Sequence, residues 1–302
     1  MEFLLITLLN GLSYGLLLFM LSSGLTLIFS MLGVLSFAHG ALYMLGAYLG
    51  YSLSQGLGFW AALVLAPLLT GLLGAAFERQ VLRRLQGHVP ELLATFALGL
   101  LIHEAVQLLW GTGPVSYRIP PKLEGPLFDL HGLQFPLYRA FIMALALLVL
   151  GLMGLLYCSR IGLLVRAALT HPKTVQALGH DVPRVFTAVF GLGSGLAGLA
   201  GVLGGNAFAT EPGMAGTMGS LLFVLIVVGG LGSLRGALLA SLLIGVLQTW
   251  AVGLDQSLGG LLGLAPAPWN ALRLSQLAPL LPFALLVAVL AWRPQGLLGR
   301  RE

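Results

Sequence analysis

Charge is what this chain has least of. Only 8% of its 302 residues are Asp, Glu, Lys or Arg, against about 25% in a soluble domain. Lys122 and Lys173 are its only lysines and neither follows a glycine. A phosphate-binding loop of the form G-x-x-x-x-G-K-[ST] is therefore excluded, and with it ATP hydrolysis by the chain itself. There is no H-E-x-x-H and no zinc-ligand spacing, so zinc-metalloenzyme classes fall away. The lone Cys158 excludes an internal disulfide and a cysteine-built metal site. The expectation is a protein that is not an enzyme and holds no metal or cofactor. Its apolar segments also lack the string of carboxylates usual in proton-coupled carriers.

What is present is apolar. Hydrophobic residues make up 58% of the chain, and the mean hydropathy is +0.98. The predicted fold class is all-α: a polytopic transmembrane helical bundle filling one domain over residues 1–302, with no separate soluble part. The formal charge of +5 calls for no nucleic acid, because most of the basic residues fall in short loops between apolar runs. The 42 glycines suit helices packed closely in a lipid bilayer. Met1 to Asn10 has no basic stretch ahead of its apolar run, so the first segment is expected to be a retained span.

The expected spans run from about Phe3 to Phe29, from the stretch ending at Gly50, from Gly58 to Phe77, Glu91 to Trp110, Arg139 to Tyr157, Val185 to Gly205, Leu238 to Val252 and Leu274 to Trp292. Ser220 to Val228 is shorter than the ~20 residues of a full crossing and reads as a short or broken helix. The count is then eight or nine. Between the spans, Gly111 to Tyr138 reads as an irregular external loop with Trp110, Tyr117 and Tyr138 as belt residues. Asn206 to Met218 reads as an external turn, Gly253 to Arg273 as an external loop, and Arg293 to Glu302 as a basic tail. Arg79, Arg83, Arg84, Arg160, Arg166, Lys173, Arg184, Arg235, Arg293, Arg300 and Arg301 then share one side; Arg118, Lys122, Arg139 and Arg273 share the other. The richer side is cytoplasmic, which places the N-terminus outside and the C-terminus inside. His39-Gly40-Ala41-Leu42 and Arg235-Gly236-Ala237-Leu238 echo each other weakly.

Three stretches stand out. Ser159 to Arg184 is a polar interruption that predicts two short helical pieces, Arg166–Leu169 and Thr174–Leu178, broken at Pro172 and ended by Gly179. Such a loop is either a solvated connector or a handle for a soluble partner. Gly33 and Gly40 bracket Ser36, Phe37 and His39 in otherwise apolar sequence. Ionisable groups at membrane depth tend to be functional or paired; the alternative is a histidine satisfied by a backbone carbonyl at the interface. His103, Glu104 and Gln107 share a helix face near a span end. Gly191/Gly195 and Gly201/Gly205 predict a close-contact helix face.

Gly11 to Gly50 (GLSYGLLLFMLSSGLTLIFSMLGVLSFAHGALYMLGAYLG) closely resembles the N-terminal third of LivH-type inner-membrane permeases, which serve bacterial ATP-binding-cassette importers for branched-chain amino acids. The likeness continues through Ala94–Gly99, Arg166–Gly179, Gly229–Ala237 and Trp292–Gly299 (WRPQGLLG). Ser36 stands where such permeases more often carry Asn, and His171 to Thr174 is less acidic than theirs. The resemblance implies a multi-pass permease of the bacterial inner membrane. It implies as partners a LivM-type second permease, two ATPase subunits and a periplasmic substrate-binding protein. The small-molecule substrate is a branched-chain or other hydrophobic amino acid; urea or a short amide is the alternative, and a stand-alone carrier or a membrane scaffold are rivals of other classes. Ser36, Phe37, His39 and Gly40 are then expected to line or support the translocation pathway, and Arg166, Thr174, Ala177, Gly179 and Asp181 to form the ATPase-coupling loop.

Overall fold

Apolar runs free of breakers become helices here, and the chain turns where glycine or proline interrupts them. The computed structural model describes residues 2–33, 35–85, 87–115, 119–130, 133–254 and 273–299. α1 spans Glu2–Leu32, α2 His39–Leu57, α3 Phe59–Gln80, α4 His88–Trp110 and α5 Leu137–Cys158. The shorter α6 (Arg160–Thr170) and α7 (Pro172–Ala177) precede α8 (Val182–Ala207), α9 (Met214–Gly229) and α10 (Leu234–Leu254). α11 (Leu274–Leu277) continues through one 3₁₀ turn into α12 (Leu281–Trp292). Gly58 alone, at φ +83°, turns the chain between α2 and α3, a conformation that a side chain would oppose. The expected loop at Gly253 to Arg273 lies, except for its two ends, outside the described residues, as do Tyr117, Arg118, Arg300 and Arg301.

Seven helical segments are long and apolar enough to cross a membrane: those built on α1, α3, α4, α5, α8, α10 and α11–α12. α2 and α9, which the expected count of eight or nine includes, are not among them. α9 has 16 residues, and begins at Met214 inside the stretch expected to be an external turn. α2 has 19, with Tyr, Ser, Gln and four Gly among them, and ten of those residues are buried in the bundle. A helix wrapped in protein has no need of an apolar face for lipid, which is why its hydropathy is low.

Burial separates centre from rim. In the most apolar window 61% of α1 and 50% of α8 is buried, against 17% for α4 and for α11–α12 and 22% for α5. The rim helices turn Leu101, Leu108 and Leu155 outward, as a lipid face requires. α8 touches three neighbours through separate glycines. Gly191 and Gly195 approach Gly71 and Pro67 of α3, Gly193 approaches Gly24 of α1, and Gly198, Gly201 and Gly205 lie on Gly46, Tyr43 and Ala47 of α2. The expected close-contact face is thus two faces of one helix, meeting different partners. α1 meets α10 in the same way, with Gly11 and Gly15 against Ser241, Gly245 and Val246. The echoed tetrapeptides both open helices, α2 at His39 and α10 at its second residue.

Two expectations need correction. The loop expected to be irregular carries an antiparallel hairpin, β1 (Pro126–Leu130) on β2 (Leu133–Pro136), with Phe128 stacked on Phe135 at 5.5 Å. Alternating Phe and Leu in a short segment favour such pairing. Tyr138 is no belt residue: it is 3% exposed, and its hydroxyl donates to the Leu203 carbonyl of α8 at 2.9 Å.

The last described segment is also pinned. Leu297 N–H and Leu298 N–H donate to the carbonyls of Val228 (2.8 Å) and Gly229 (3.1 Å), the final turn of α9. Gly230 (φ +99°) and Gly296 (φ +80°) permit the approach: a Cβ on Gly296 would strike Gly230, and one on Gly230 would strike Gly299.

Candidate functional site

The first candidate region is the break between α1 and α2. α1 stops at Leu32, and Gly33 N–H still donates to Phe29 O at 2.9 Å before the chain leaves helical geometry. α2 restarts at His39, whose N–H donates to Ser36 O at 3.3 Å. Ser36 is 2% exposed and His39 fully buried, while Phe37 is 53% exposed. The region therefore divides: Phe37 faces outward, edge-on to Phe96 of α4 at 6.4 Å, and its neighbours face in.

His39 Nε2 lies 3.1 Å from the Leu21 carbonyl of α1. A carbonyl only accepts, so Nε2 carries the proton. Nδ1 is then an acceptor, and neither it nor Ser36 Oγ has a partner among the described residues. The imidazole sits in the slot left by Gly24, whose Cβ would strike both the ring and the Gly193 carbonyl of α8. Gly40 fills the equivalent role on the other side, against Ala215 and Gly219 of α9. His39 and Gly40 thus clasp α1, α2, α8 and α9 at one level.

The second region is the polar interruption. Ser159 caps α6 through Gly162 N–H at 3.2 Å, so the first helical piece begins at Arg160, well before the expected Arg166. His171 ends α6, and Pro172 starts α7, where a missing N–H costs nothing. Gly179 stops α7 at φ +88°. Its N–H donates to Gln176 O (2.9 Å) and that of His180 to Val175 O (3.2 Å), the paired bonds of a Schellman stop. Asp181 caps α8 through Arg184 N–H (3.2 Å) and holds the Arg184 guanidinium at 2.8 Å.

Ala168, Val175 and Val182 bury together, so α6, α7 and the start of α8 form one small unit. Thr174, Ala177, Leu178 and Gly179 lie on its exposed side, with Leu178 73% exposed. Arg166 is turned inward instead: it donates to Gly162 O (3.2 Å) and Tyr157 O (3.1 Å) and stacks over the Tyr157 ring at 4.1 Å.

A third set was not singled out from the sequence. Glu78, 4% exposed at the end of α3, pairs with Arg83 at 3.4 Å and accepts from the Thr187 hydroxyl of α8. Arg83 also donates to Thr187 Oγ1 and to Pro183 O at 2.8 Å. This network ties α3 to the helix that follows the α6–α7 unit. The available signal was Glu78 itself, the one acid beside Arg79, Arg83 and Arg84; Thr187 gave none. His103 and Gln107 do meet, at 2.7 Å, on the half-exposed face of α4. Among the described residues no group of His, Cys, Asp and Glu has the makings of a metal site.

Seven helical segments long and apolar enough to cross a membrane, packed through glycines, define a polytopic helical membrane protein. The family described as "Branched-chain amino acid transport system / permease component" matches residues 7–290, and the chain belongs to it. It is 29% identical to the high-affinity branched-chain amino acid transport system permease protein BraD of Pseudomonas aeruginosa, over 98% of this chain and 95% of that protein. It is 27% identical to the permease protein LivH of Escherichia coli K12, over 97% and 94%. The LivM permease of the same organism is also 27% identical, over 92% of this chain and 67% of that one. No solved structure matches the chain.

Proposed function

We propose that this chain is a permease subunit of an ATP-binding-cassette importer that moves branched-chain amino acids across the bacterial inner membrane. The observation that carries it is the family match across residues 7–290. The names of the relatives favour branched-chain amino acids over urea or a short amide. The chain has no nucleotide motif, so ATPase subunits must supply the differential interaction that shifts its conformations. A LivM-type permease, itself similar to this chain, completes the pathway, and a periplasmic protein delivers substrate.

In this reading α2 and α9 also cross, giving nine spans with the N-terminus outside and the C-terminus inside. For α9 support comes from charge: only with α9 crossing do Arg235 and Arg293 share a side with Arg160, Arg166 and Lys173. At 1.5 Å per residue α9 is about 24 Å long, short of a ~30 Å hydrocarbon core, and half its residues are buried in protein. The α6–α7 unit then faces the cytoplasm, where Thr174, Ala177 and Gly179 seat in a groove of an ATPase subunit. Arg166 and Asp181 act from within by fixing α6 and α8. Ser36, His39 and Gly40 support the pathway at the helix break, and Phe37 is the member placed to line it.

Co-expression with the two ATPases and the LivM-type permease tests this. A tag on this chain is expected to retain all three through purification in mild detergent. A chain that purifies alone under conditions where the other three stay together would overturn the assignment.

A further inference from the structure

A long groove opens on the rim of the bundle between α3, α5 and α8, with a volume of about 1180 Å³. Its floor is made by Gly71 of α3 and Gly191 of α8, and its walls by leucines such as Leu72, Leu152 and Leu192. By the helical rise it follows α3 from Leu63 to Arg79 for roughly 24 Å and α8 from Leu199 to Arg184 for roughly 22 Å. At one end the lining changes character. There Arg79, Arg83 and Arg184 surround the mouth, with Asp181 and Thr187 beside them.

The arginines differ in what they already hold. Arg184 gives Nε to Asp181, and Arg83 gives Nη2 to Glu78, Pro183 and Thr187. Their remaining N–H groups, and all five of Arg79, have no partner among the described residues. Donor-rich cations thus stand at the end of a channel otherwise walled by hydrocarbon.

We propose that this groove is a binding site for an anionic phospholipid, with acyl chain along the Gly71–Gly191 floor and headgroup phosphate on Arg79, Arg83 and Arg184. Several features point to a lipid. The three flanking helices are all apolar enough to lie in a bilayer, and in their most apolar windows only 28% of α3 and 22% of α5 is buried. Basic pockets between membrane helices on the cytoplasmic side capture anionic headgroups. The volume exceeds the ~300–1,000 Å³ of small-molecule sites. Beyond the arginine end, its Leu, Val, Met and Gly lining offers no side-chain partner for the two charges of an amino acid, so it is not the substrate's own path. A partner subunit's helix would fill the Leu-walled length equally well but would leave the Arg79 guanidinium without a counter-charge. The placement of the mouth in the cytoplasmic leaflet rests on the orientation proposed above; the charge selectivity does not, so the two fail separately.

The test uses the full chain in neutral detergent, equilibrated with phosphatidylglycerol or phosphatidylcholine, with bound lipid counted by native mass spectrometry. The protein is expected to retain phosphatidylglycerol preferentially. Arg79→Gln is expected to cut that preference about fivefold, the factor for one arginine at an anionic surface, and Arg79→Lys to keep it. Ala188→Trp, which fills the groove from an exposed position one turn beyond Arg184, should lower retention of both lipids. Equal retention of the two lipids by the unsubstituted chain overturns the proposal. So does a preference that survives Arg79→Gln, or phosphatidylglycerol retention unchanged in Ala188→Trp. If adding the LivM-type permease displaces the lipid, the groove is a subunit interface and the proposal is wrong.

Discussion

The Thr187 hydroxyl of α8 donates a 2.5 Å hydrogen bond to the Glu78 carboxylate of α3, across 109 residues of sequence. Arg83 closes the triangle from the 3₁₀ turn after α3. α8 begins directly after the α6–α7 unit, so any push on that unit reaches α3 through this contact. Thr187→Val, which keeps the shape and removes the donor, is expected to cost about 1.5–3 kcal/mol, the range for a hydrogen bond to a charged group. The check is thermal unfolding of the purified chain. A variant as stable as the parent would mean that water or Arg83 alone satisfies Glu78.

His39 should matter more to movement than to assembly. His39→Ala removes the link to Leu21 O and empties a slot shaped by Gly24. Uptake is expected to fall several-fold while the partner subunits still co-purify. Ser36→Asn should be mild, since no described residue depends on the Ser36 hydroxyl. Uptake and assembly are measured side by side on the same preparations. If His39→Ala transports normally, or fails only because nothing assembles, the residue is purely structural.

Gly179 separates docking from folding. Nothing lies within 4 Å of the position its Cβ would take, yet its φ of +88° penalises any side chain, by roughly 1–2 kcal/mol. Gly179→Trp is therefore expected to leave the bundle folded and to weaken ATPase co-purification through a bulky, displaced α7 end. Retained ATPases and intact uptake would remove α7 from the coupling assignment.

The glycines themselves should sort into two groups. Gly201→Val drives a side chain into the Tyr43 and Ala47 backbone of α2, and is expected to abolish a monodisperse peak in size-exclusion chromatography. Gly154→Val on α5, where nothing lies within 4 Å, should elute as the parent does. Similar elution of both variants would refute the packing role given to α8.

Much of this architecture could be read from residue order because lipid demands long apolar runs and punishes breaks. α1, α4, α5 and α11–α12 fall within a few residues of their expected bounds for that reason. α2 and α9 were harder, since a helix surrounded by protein is free of the apolar rule that makes spans visible. The break before His39 was visible from Gly33 and Gly40, and the stop at Gly179 from glycine's tolerance of positive φ. Contacts between distant segments were not. Nothing in Thr187 marks it as the partner of Glu78, and Tyr138 looks like an interfacial tyrosine until α8 is packed against it. The inward turn of Arg166 onto Tyr157 also depends on how α5 and α6 meet.

The central claim is that this chain moves branched-chain amino acids only as part of an ATP-driven assembly. The direct measurement is uptake of labelled leucine and labelled urea into proteoliposomes holding this chain, the LivM-type permease and both ATPases, with the binding protein added outside. Leucine is expected to accumulate when ATP is present inside, urea is not, and omitting the ATPases should abolish uptake. Leucine uptake by the single chain without those subunits, or accumulation of urea in preference to leucine, would contradict the account.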